Sequence, residues 1–205
     1  TAVKNAINTA VIGLKAAGVL AITDSLMVAA DAADSQAGLL DWLRSATAVA
    51  NGSAAWSAAN GFDGSSVASS GFDSNFAPAS HGVNFTLDDA AIFFYVTTQN
   101  SNNSYLTGRG GGTSTKLTHV QSSAAQALTI QLNGGSSLVT GSGAGVAGFH
   151  VVQRSGGTLY HYRDGTLIAS GASAAQALAT DNLWICSGLS GALPSDVNIA
   201  AWGAG

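Results

Sequence analysis

The chain has 205 residues, of which 46% are apolar and 9% are charged, and its formal net charge is −4 at pH 7. This length suits one all-β domain with a short appendage, and the apolar fraction is ample for a core. The seven basic residues are scattered and form no patch, which argues against nucleic acid as a partner. No apolar run reaches the roughly 20 residues of a membrane span. Lys15 interrupts the apolar N-terminal stretch, so no signal peptide is expected.

Two features of the composition limit the chemistry. The single cysteine, Cys186, ends the apolar run Leu183-Trp184-Ile185-Cys186, which predicts a buried thiol, and one cysteine excludes a disulfide framework. All eleven acidic residues are aspartates, and the chain contains no glutamate. Glycosidases on small β-scaffolds commonly use a pair of carboxylates, often glutamates, that face each other across a groove. No strand here carries such a pair, so hydrolysis of glycans is not expected.

The N-terminal part has helical periodicity. Ile7, Val11 and Leu14 share one helical face, and apolar residues then recur at spacings of three and four up to Ala33. This predicts two short helices, or one helix broken near Gly18. The helical part either packs on the chain's own sheet or contacts a partner chain in an assembly. We therefore divide the sequence into a helical attachment segment, residues 1–37, and a β-domain, residues 38–205.

The β-domain is expected to contain ten or more short strands separated by glycine-rich turns. Residues 91–97 form the strongest strand signal and are expected at the centre of a sheet. Gly-Phe-Asp occurs at residues 61–63 and again at 71–73, a spacing typical of hairpins. Further strands are expected at residues 104–107, 116–120, 127–132, 137–140, 183–186 and 197–202. With no alternating helices, this pattern predicts an all-β antiparallel jelly-roll sandwich.

Residues 149–170 give the clearest local prediction, namely three consecutive strands. Asp164-Gly165 is a strong signal for a two-residue type I′ turn, because both residues tolerate positive φ. Such a turn places Arg163 opposite Thr166, Tyr162 opposite Leu167 and His161 opposite Ile168. His150 and His161 then lie on neighbouring strands and approach each other, which we interpret as a half-buried pair rather than a metal site.

Common catalytic and cofactor-binding motifs are either absent from the sequence or are followed by the wrong type of secondary structure. There is no Gly-x-Ser-x-Gly nucleophile elbow and no P-loop. Residues 143–148 fit Gly-x-Gly-x-x-Gly, but a strand follows where a dinucleotide site needs a helix, so this is a turn. We predict no catalytic residue, no enzyme activity and no cofactor. Calcium held by the loop aspartates Asp63, Asp73 and Asp181 is left as an alternative.

Aromatic side chains are the candidates for ligand contact, because ring faces stack on sugars. For each of them, burial in the core is the alternative explanation. Trp56 and Tyr95 are further aromatic candidates, and both Arg109 and the polar loop 99–103 are candidates for polar contacts, because exposed loops carry recognition. The candidate ligand-binding residues are Tyr105, Arg109, Tyr160, Tyr162 and Trp184.

Two stretches carry a resemblance to a known family. Residues 149–170, with the turn Tyr162-Arg163-Asp164-Gly165, resemble the penultimate hairpin of laminin-G/concanavalin A-like lectin domains. Residues 60–72 resemble an early hairpin of the same group. With the helical lead-in and the strand at 91–97, the order is similar to lectin-like domains of tailed-phage and prophage structural proteins, over residues 38–202.

The resemblance implies a non-enzymatic protein on the surface of a virion, as a capsid decoration, a spike or a tail fibre active in host recognition. It also implies attachment to other virion proteins through the N-terminal helices, assembly as a homo-oligomer, and binding of cell-surface glycans. The alternative is a free carbohydrate-binding module or a bacterial surface adhesin.

Overall fold

A computed structural model describes residues 2–64, 67, 69–98, 104–109, 118–188, 195 and 197–205, with the backbone alone for residues 2–8, 104 and 109. The helices are α1 (Ala2–Ala16), α2 (Ser35–Leu39) and α3 (Pro78–His81), with a 3₁₀ turn at Val19–Ile22. The first strands are β1 (Ser25–Val28), β2 (Val49–Asn51), β3 (Ala55–Ser57), β4 (Gly61–Asp63), β5 (Gly71–Asp73), β6 (Asp89–Thr98), β7 (Ser104–Arg109) and β8 (His119–Ser122). The remaining strands are β9 (Leu128–Gln131), β10 (Leu138–Val139), β11 (Gly148–Ser155), β12 (Thr158–Arg163), β13 (Thr166–Ala172), β14 (Leu183–Ile185) and β15 (Asn198–Ala204).

The strands form two antiparallel sheets within the described ranges. The eight-stranded sheet has the order β13-β12-β11-β6-β15-β4-β3, and β1 also pairs with β15. The seven-stranded sheet has the order β10-β9-β8-β7-β14-β5-β2. The predicted all-β jelly-roll sandwich is confirmed, and β6, the strongest strand signal, lies inside its sheet between β11 and β15. No helix in the described ranges combines the length and the apolarity needed to cross a bilayer.

The N-terminal segment changes from helix to strand earlier than the periodicity suggests. After α1 the chain turns at Gly18, whose φ of 72° is one that glycine adopts without strain. Ser25–Val28 then pairs with β15, so that Ser25 lies opposite Ala204. This strand falls inside the range 1–37 that was assigned to helical attachment. The sandwich thus includes residues from that segment and begins before residue 38.

Asp24 anchors the point where the N-terminal segment enters the sandwich. Its carboxylate accepts hydrogen bonds from the backbone N–H groups of Val83, Asn84 and Phe85, at 2.7–3.0 Å. Its own N–H donates to the carbonyl oxygen of Ala204 at 2.8 Å. The side chain is 8% exposed, so these bonds satisfy a largely buried charge.

The core lies between the sheets and is rich in aromatic rings. Phe62 and Phe72, the central residues of the two Gly-Phe-Asp copies, are fully buried, and their ring centroids are 5.0 Å apart in an edge-on arrangement. Strand β4 belongs to the eight-stranded sheet and β5 to the seven-stranded sheet. The repeat therefore supplies one phenylalanine from each layer and does not form the hairpin that its spacing suggests.

Trp202 and Arg154 are among the largest fully buried side chains. The indole Nε1 of Trp202 donates to Thr107 Oγ1 at 3.1 Å, which links the two sheets. The guanidinium of Arg154 donates to the carbonyl oxygens of Leu132 and Ser173 at 2.7 and 2.6 Å. Burial lowers the pKa of Arg154 from its usual value. The usual pKa of a guanidinium is so high that Arg154 nevertheless stays charged.

The hairpin predicted for residues 149–170 is present as β11, β12 and β13. Asp164 and Gly165 have φ of 50° and 79°, as a type I′ turn requires. Arg163 lies opposite Thr166 and Tyr162 opposite Leu167, as predicted. The next pair is His161 with Ala169, not Ile168, because a bulge shifts the register between His161 and Tyr162.

Cys186 is a buried free thiol, as the sequence predicted. Its Sγ lies 3.8 Å from the carbonyl oxygen of Phe62 and 3.6 Å from that of Val197. Burial raises the pKa of this thiol far above its usual value, so it is protonated at any physiological pH. The side chain acts as a small apolar filler between the layers.

Candidate functional site

Four of the five predicted ligand-binding residues have described side chains, and these four lie on two opposite surfaces of the sandwich. On β12, Leu159 and His161 are buried, so the alternation of a strand places Tyr160 and Tyr162 on the outer face of the eight-stranded sheet. On β14, Leu183 and Ile185 are buried, and Trp184 therefore lies on the outer face of the seven-stranded sheet. The structure does not bring the five residues into one site.

A row of outward positions crosses the seven-stranded sheet. Trp184 lies opposite Gly108, and Gly108 lies opposite His119 on β8. His119 in turn lies opposite Gln131 on β9. On the other side of Trp184, the row continues to Asp73. The outer face thus presents an indole, an imidazole, an amide and a carboxylate along one line across the strands.

Tyr105 joins this row from the side. Its ring meets the ring of His119 edge-on, with centroids 5.0 Å apart and planes at 84°. A Cβ at Gly188 would lie 2.9 Å from Cγ of Tyr105, so the chain that follows β14 passes directly over the tyrosine ring. As a result Tyr105 is 9% exposed although it lies on an outer face. We call Tyr105, His119, Gln131 and Trp184 the Trp184 face.

Gln131 has an unusual environment within the Trp184 face. Its side chain is 6% exposed, and its Oε1 accepts no hydrogen bond. Buried polar atoms without a partner are rare in folded proteins, and each one calls for an explanation. Sequence reasoning missed both Gln131 and His119. The signal for them is alternation, because His119 is next to the core residue Val120 and Gln131 lies between the core residues Ile130 and Leu132, so both point outward.

Asp73 and Arg109 flank the Trp184 face. Asp73 Oδ2 accepts from Asn182 Nδ2 at 3.2 Å and its Oδ1 from the Asn75 N–H at 2.8 Å. Arg109 is the last residue of β7 and lies opposite Leu183, but its side chain is outside the described part, as is the predicted contact loop 99–103.

The calcium alternative has no ligand cluster in the ranges that the structure describes, where no three His, Cys, Asp or Glu side chains come together in a metal-binding arrangement. Two of its aspartates belong to different layers, since Asp63 is on β4 and Asp73 is on β5.

The outer face of the eight-stranded sheet is aromatic. The rings of Tyr160 and Tyr162 are nearly parallel, with centroids 6.3 Å apart and planes at 22°. Tyr95 and Phe149 lie opposite each other on β6 and β11, and they are 44% and 40% exposed. We define the aromatic face by seven residues of four adjacent strands: Phe93, Tyr95, Phe149, Val151, Tyr160, Tyr162 and Leu167.

His150 and His161 do approach each other, and they do so inside the core. Their rings are parallel, with centroids 5.3 Å apart. His150 Nε2 lies 2.8 Å from the carbonyl oxygen of Val146, so it carries a proton and leaves His150 Nδ1 as an acceptor for His161 Nε2 at 3.1 Å. His161 Nδ1 has no partner. Burial lowers the pKa of both rings, that of His161 to about 4, so the pair is neutral at pH 7.

Comparisons with known proteins establish the fold. No protein-family model matches the chain, and no curated protein matches its sequence. A sialidase of Trypanosoma rangeli, in complex with 2,3-difluorosialic acid, is similar with a TM-score of 0.64 and 16% identity over 90% of this chain. Botulinum neurotoxin type C, in a structure concerned with its interaction with two ganglioside molecules, is similar with a TM-score of 0.59 and 15% identity over 91% of this chain.

These likenesses define the class of domain and extend no further than the fold. The chain has an antiparallel β-sandwich similar to domains of those two proteins. It covers 30% of the length of the sialidase and 49% of the neurotoxin chain. In both neighbours the shared fold is therefore one part of a longer protein.

Proposed function

We propose that this chain is a non-enzymatic glycan-binding domain that holds its ligand on the Trp184 face. The observation that carries the proposal is Gln131 Oε1, a buried acceptor without a partner, in the same cross-strand row as the indole of Trp184. A sugar hydroxyl supplies the donor that this oxygen lacks. The apolar C–H face of a sugar ring supplies the surface that stacks on a half-buried indole.

The chemistry of the whole row fits a neutral, amphipathic ligand. Binding sites of this type combine apolar and aromatic walls with a few fixed polar groups that set orientation. Here Tyr105 and His119 pack edge-on against each other, which fixes the positions of both rings. The two structural neighbours, a sialidase with a sialic acid derivative and a toxin that interacts with gangliosides, support a sugar as the ligand class.

The proposal contains no catalytic step. The sequence has no glutamate, the residue that most often forms the carboxylate pair of glycosidases on such scaffolds. We therefore propose recognition without turnover, and we propose no metal or cofactor for it. A chain that releases sugar from a bound glycan would contradict this part of the proposal.

The test is a glycan array followed by titration of the best ligand. We expect Trp184→Ala to weaken binding at least about tenfold, because truncation of a stacked aromatic anchor costs about 1.4 kcal/mol or more. Gln131→Leu keeps the volume, removes the acceptor and is expected to weaken binding as well. Tyr160→Ala, a matched aromatic truncation on the opposite outer face, is the control and is expected to bind like the unchanged protein.

Two results would contradict the proposed site. If no glycan is retained by the unchanged chain, glycan binding itself fails. If Tyr160→Ala weakens binding and Trp184→Ala does not, the ligand binds the aromatic face. Thermal unfolding of each variant shows whether the loss reflects the site or the fold.

The setting in which the domain works is a separate part of the proposal. We propose a virion surface of a tailed phage or prophage, on capsid or tail, with the N-terminal helical segment as the attachment to other virion proteins. What supports attachment is that residues 9–22 have no buried side chain. A free carbohydrate-binding module or a bacterial surface adhesin uses the same glycan site and fits the structural neighbours at least as well. Electron cryomicroscopy of particles from the source organism separates the two settings, because only the first places the chain on a lattice.

A further inference from the structure

The aromatic face is a large apolar surface that nothing in the described part of the chain covers. Tyr95, Phe149 and Leu167 are 44%, 40% and 50% exposed, and they lie on β6, β11 and β13 of the same sheet. Val151 lies opposite Phe93 on one side and Tyr162 on the other, so the face is continuous from β6 to β12. Exposed apolar patches of this kind mark sites of interaction on soluble proteins. A sheet with an apolar outer face is commonly packed against a helix.

The same chain carries a helix whose described side chains are not buried against any other part of the described chain. Helix α1 has 15 residues, and none of the side chains described between residues 9 and 22 is buried. Ile12 and Ile22 are 58% and 65% exposed. Helices of this length are marginal in water by themselves, and their stability in proteins comes mainly from tertiary packing. Gly13 inside α1 makes this helix weaker still.

The helical segment and the rest of the chain carry opposite net charges. Residues 1–22 contain Lys4 and Lys15 and no acidic residue, whereas residues 23–205 contain five basic residues and eleven aspartates. The helical segment is thus +2 and the rest of the chain −6. Two exposed aspartates mark the ends of the aromatic face: Asp164 in the β12–β13 turn, and Asp89, which lies opposite Ser155 at the far end of β11. The face itself has no charged member.

We propose that residues 2–22 of one copy pack on the aromatic face of a second copy of this chain. The segment leaves its own sandwich at Asp24, which is fixed by its bonds to Val83, Asn84 and Phe85, and none of its described side chains is buried against its own sheet. Helix and face are different surfaces, so the contact is heterologous. Such contacts close into a ring or continue as a filament, according to the angle between copies.

Sedimentation velocity of the full chain over a range of concentrations tests the proposal. The unchanged chain is expected to self-associate, and more weakly at high salt because the opposite charges are screened. Phe149→Asp, on the face, and Ile12→Asp, on the helix, are each expected to weaken association more than about tenfold. Both side chains are exposed, so both variants retain the fold. Val139→Asp, at a still more exposed position on β10 of the other sheet, is the control and leaves association unchanged.

Mixing the two variants gives the decisive result. Phe149→Asp keeps an intact helix and Ile12→Asp keeps an intact face, so an equimolar mixture is expected to form a one-to-one dimer that neither variant forms alone. A symmetric contact between two aromatic faces would be insensitive to Ile12→Asp and would not be restored by mixing, which overturns the proposal. A monomeric unchanged chain at all concentrations also overturns it. None of these outcomes depends on glycan binding.

Discussion

Truncating Trp202 to alanine is expected to lower the free energy of unfolding by about 4 kcal/mol, which is the usual cost of removing a large buried aromatic side chain. The indole is fully buried and packs edge-on against Phe76, with ring centroids 6.4 Å apart. Its Nε1 donates to Thr107 Oγ1, so the truncation also leaves a buried hydroxyl with one partner fewer. Denaturant unfolding followed by circular dichroism measures the change.

Two further variants separate packing from the hydrogen bond. Trp202→Phe keeps most of the ring volume, and Thr107→Val removes the hydroxyl that accepts from Trp202 and donates to the carbonyl oxygen of Trp184, so each is expected to cost about 1–2 kcal/mol. If Trp202→Ala costs no more than Trp202→Phe, the cavity between the sheets collapses freely, and the tightly packed core described for the two layers is contradicted.

Acidification from pH 6.5 to pH 4 is expected to lower the stability by up to about 3 kcal/mol through His161. Burial, together with nearby His150 and Arg163, lowers the pKa of His161 from 6.5 to about 4. Between these values the unfolded chain binds a proton that the folded chain does not, so stability falls as the pH falls. Above pH 6.5 His161 is neutral in both the folded and the unfolded chain, so it causes no loss of stability there. Below pH 4 it is protonated in both states, so the loss of stability through this group does not increase further.

The variant His161→Phe tests the origin of this dependence. It removes the titrating group and retains an aromatic ring, so the slope of unfolding free energy against pH between 4 and 6.5 should be shallower than in the unchanged chain. His161→Phe is also expected to lower stability at pH 7, because His150 Nδ1 loses the group that donates to it. An unchanged slope would assign the acid sensitivity to other groups.

Local signals in the sequence predicted local structure well. The Asp164-Gly165 turn and the first two residue pairs of its hairpin follow from backbone conformation alone, because few residues adopt positive φ in succession. The bulge between His161 and Tyr162 was not predictable, since no residue type marks it. Helical periodicity was misleading at Leu26, which belongs to β1 and lies opposite Gly203. That pairing joins segments at opposite ends of the sequence, and no local pattern contains it.

The positions of the candidate site residues also depend on long-range strand pairing, which local sequence patterns do not contain. Alternation along β12 and β14 indicates that Tyr160, Tyr162 and Trp184 point away from the core. It does not indicate to which of the two sheets each strand belongs, and therefore on which outer face each side chain lies. The layer depends on which strands pair, and β14 pairs with β5 and β7 across more than 70 residues of sequence. Gln131 was missed for a related reason. A glutamine between apolar residues looks unremarkable until the pairing with His119 places it in a row with aromatic rings.

The buried Cys186 makes the chain convenient for experiments that need a single label or a report on local opening. A protonated thiol without solvent access does not react with maleimides or disulfide reagents while the protein is folded. A cysteine introduced at an exposed position can therefore be labelled selectively with the native thiol left in place. Conversely, the rate at which Cys186 itself is modified reports how often the two layers separate around Phe62 and Val197, without any added probe.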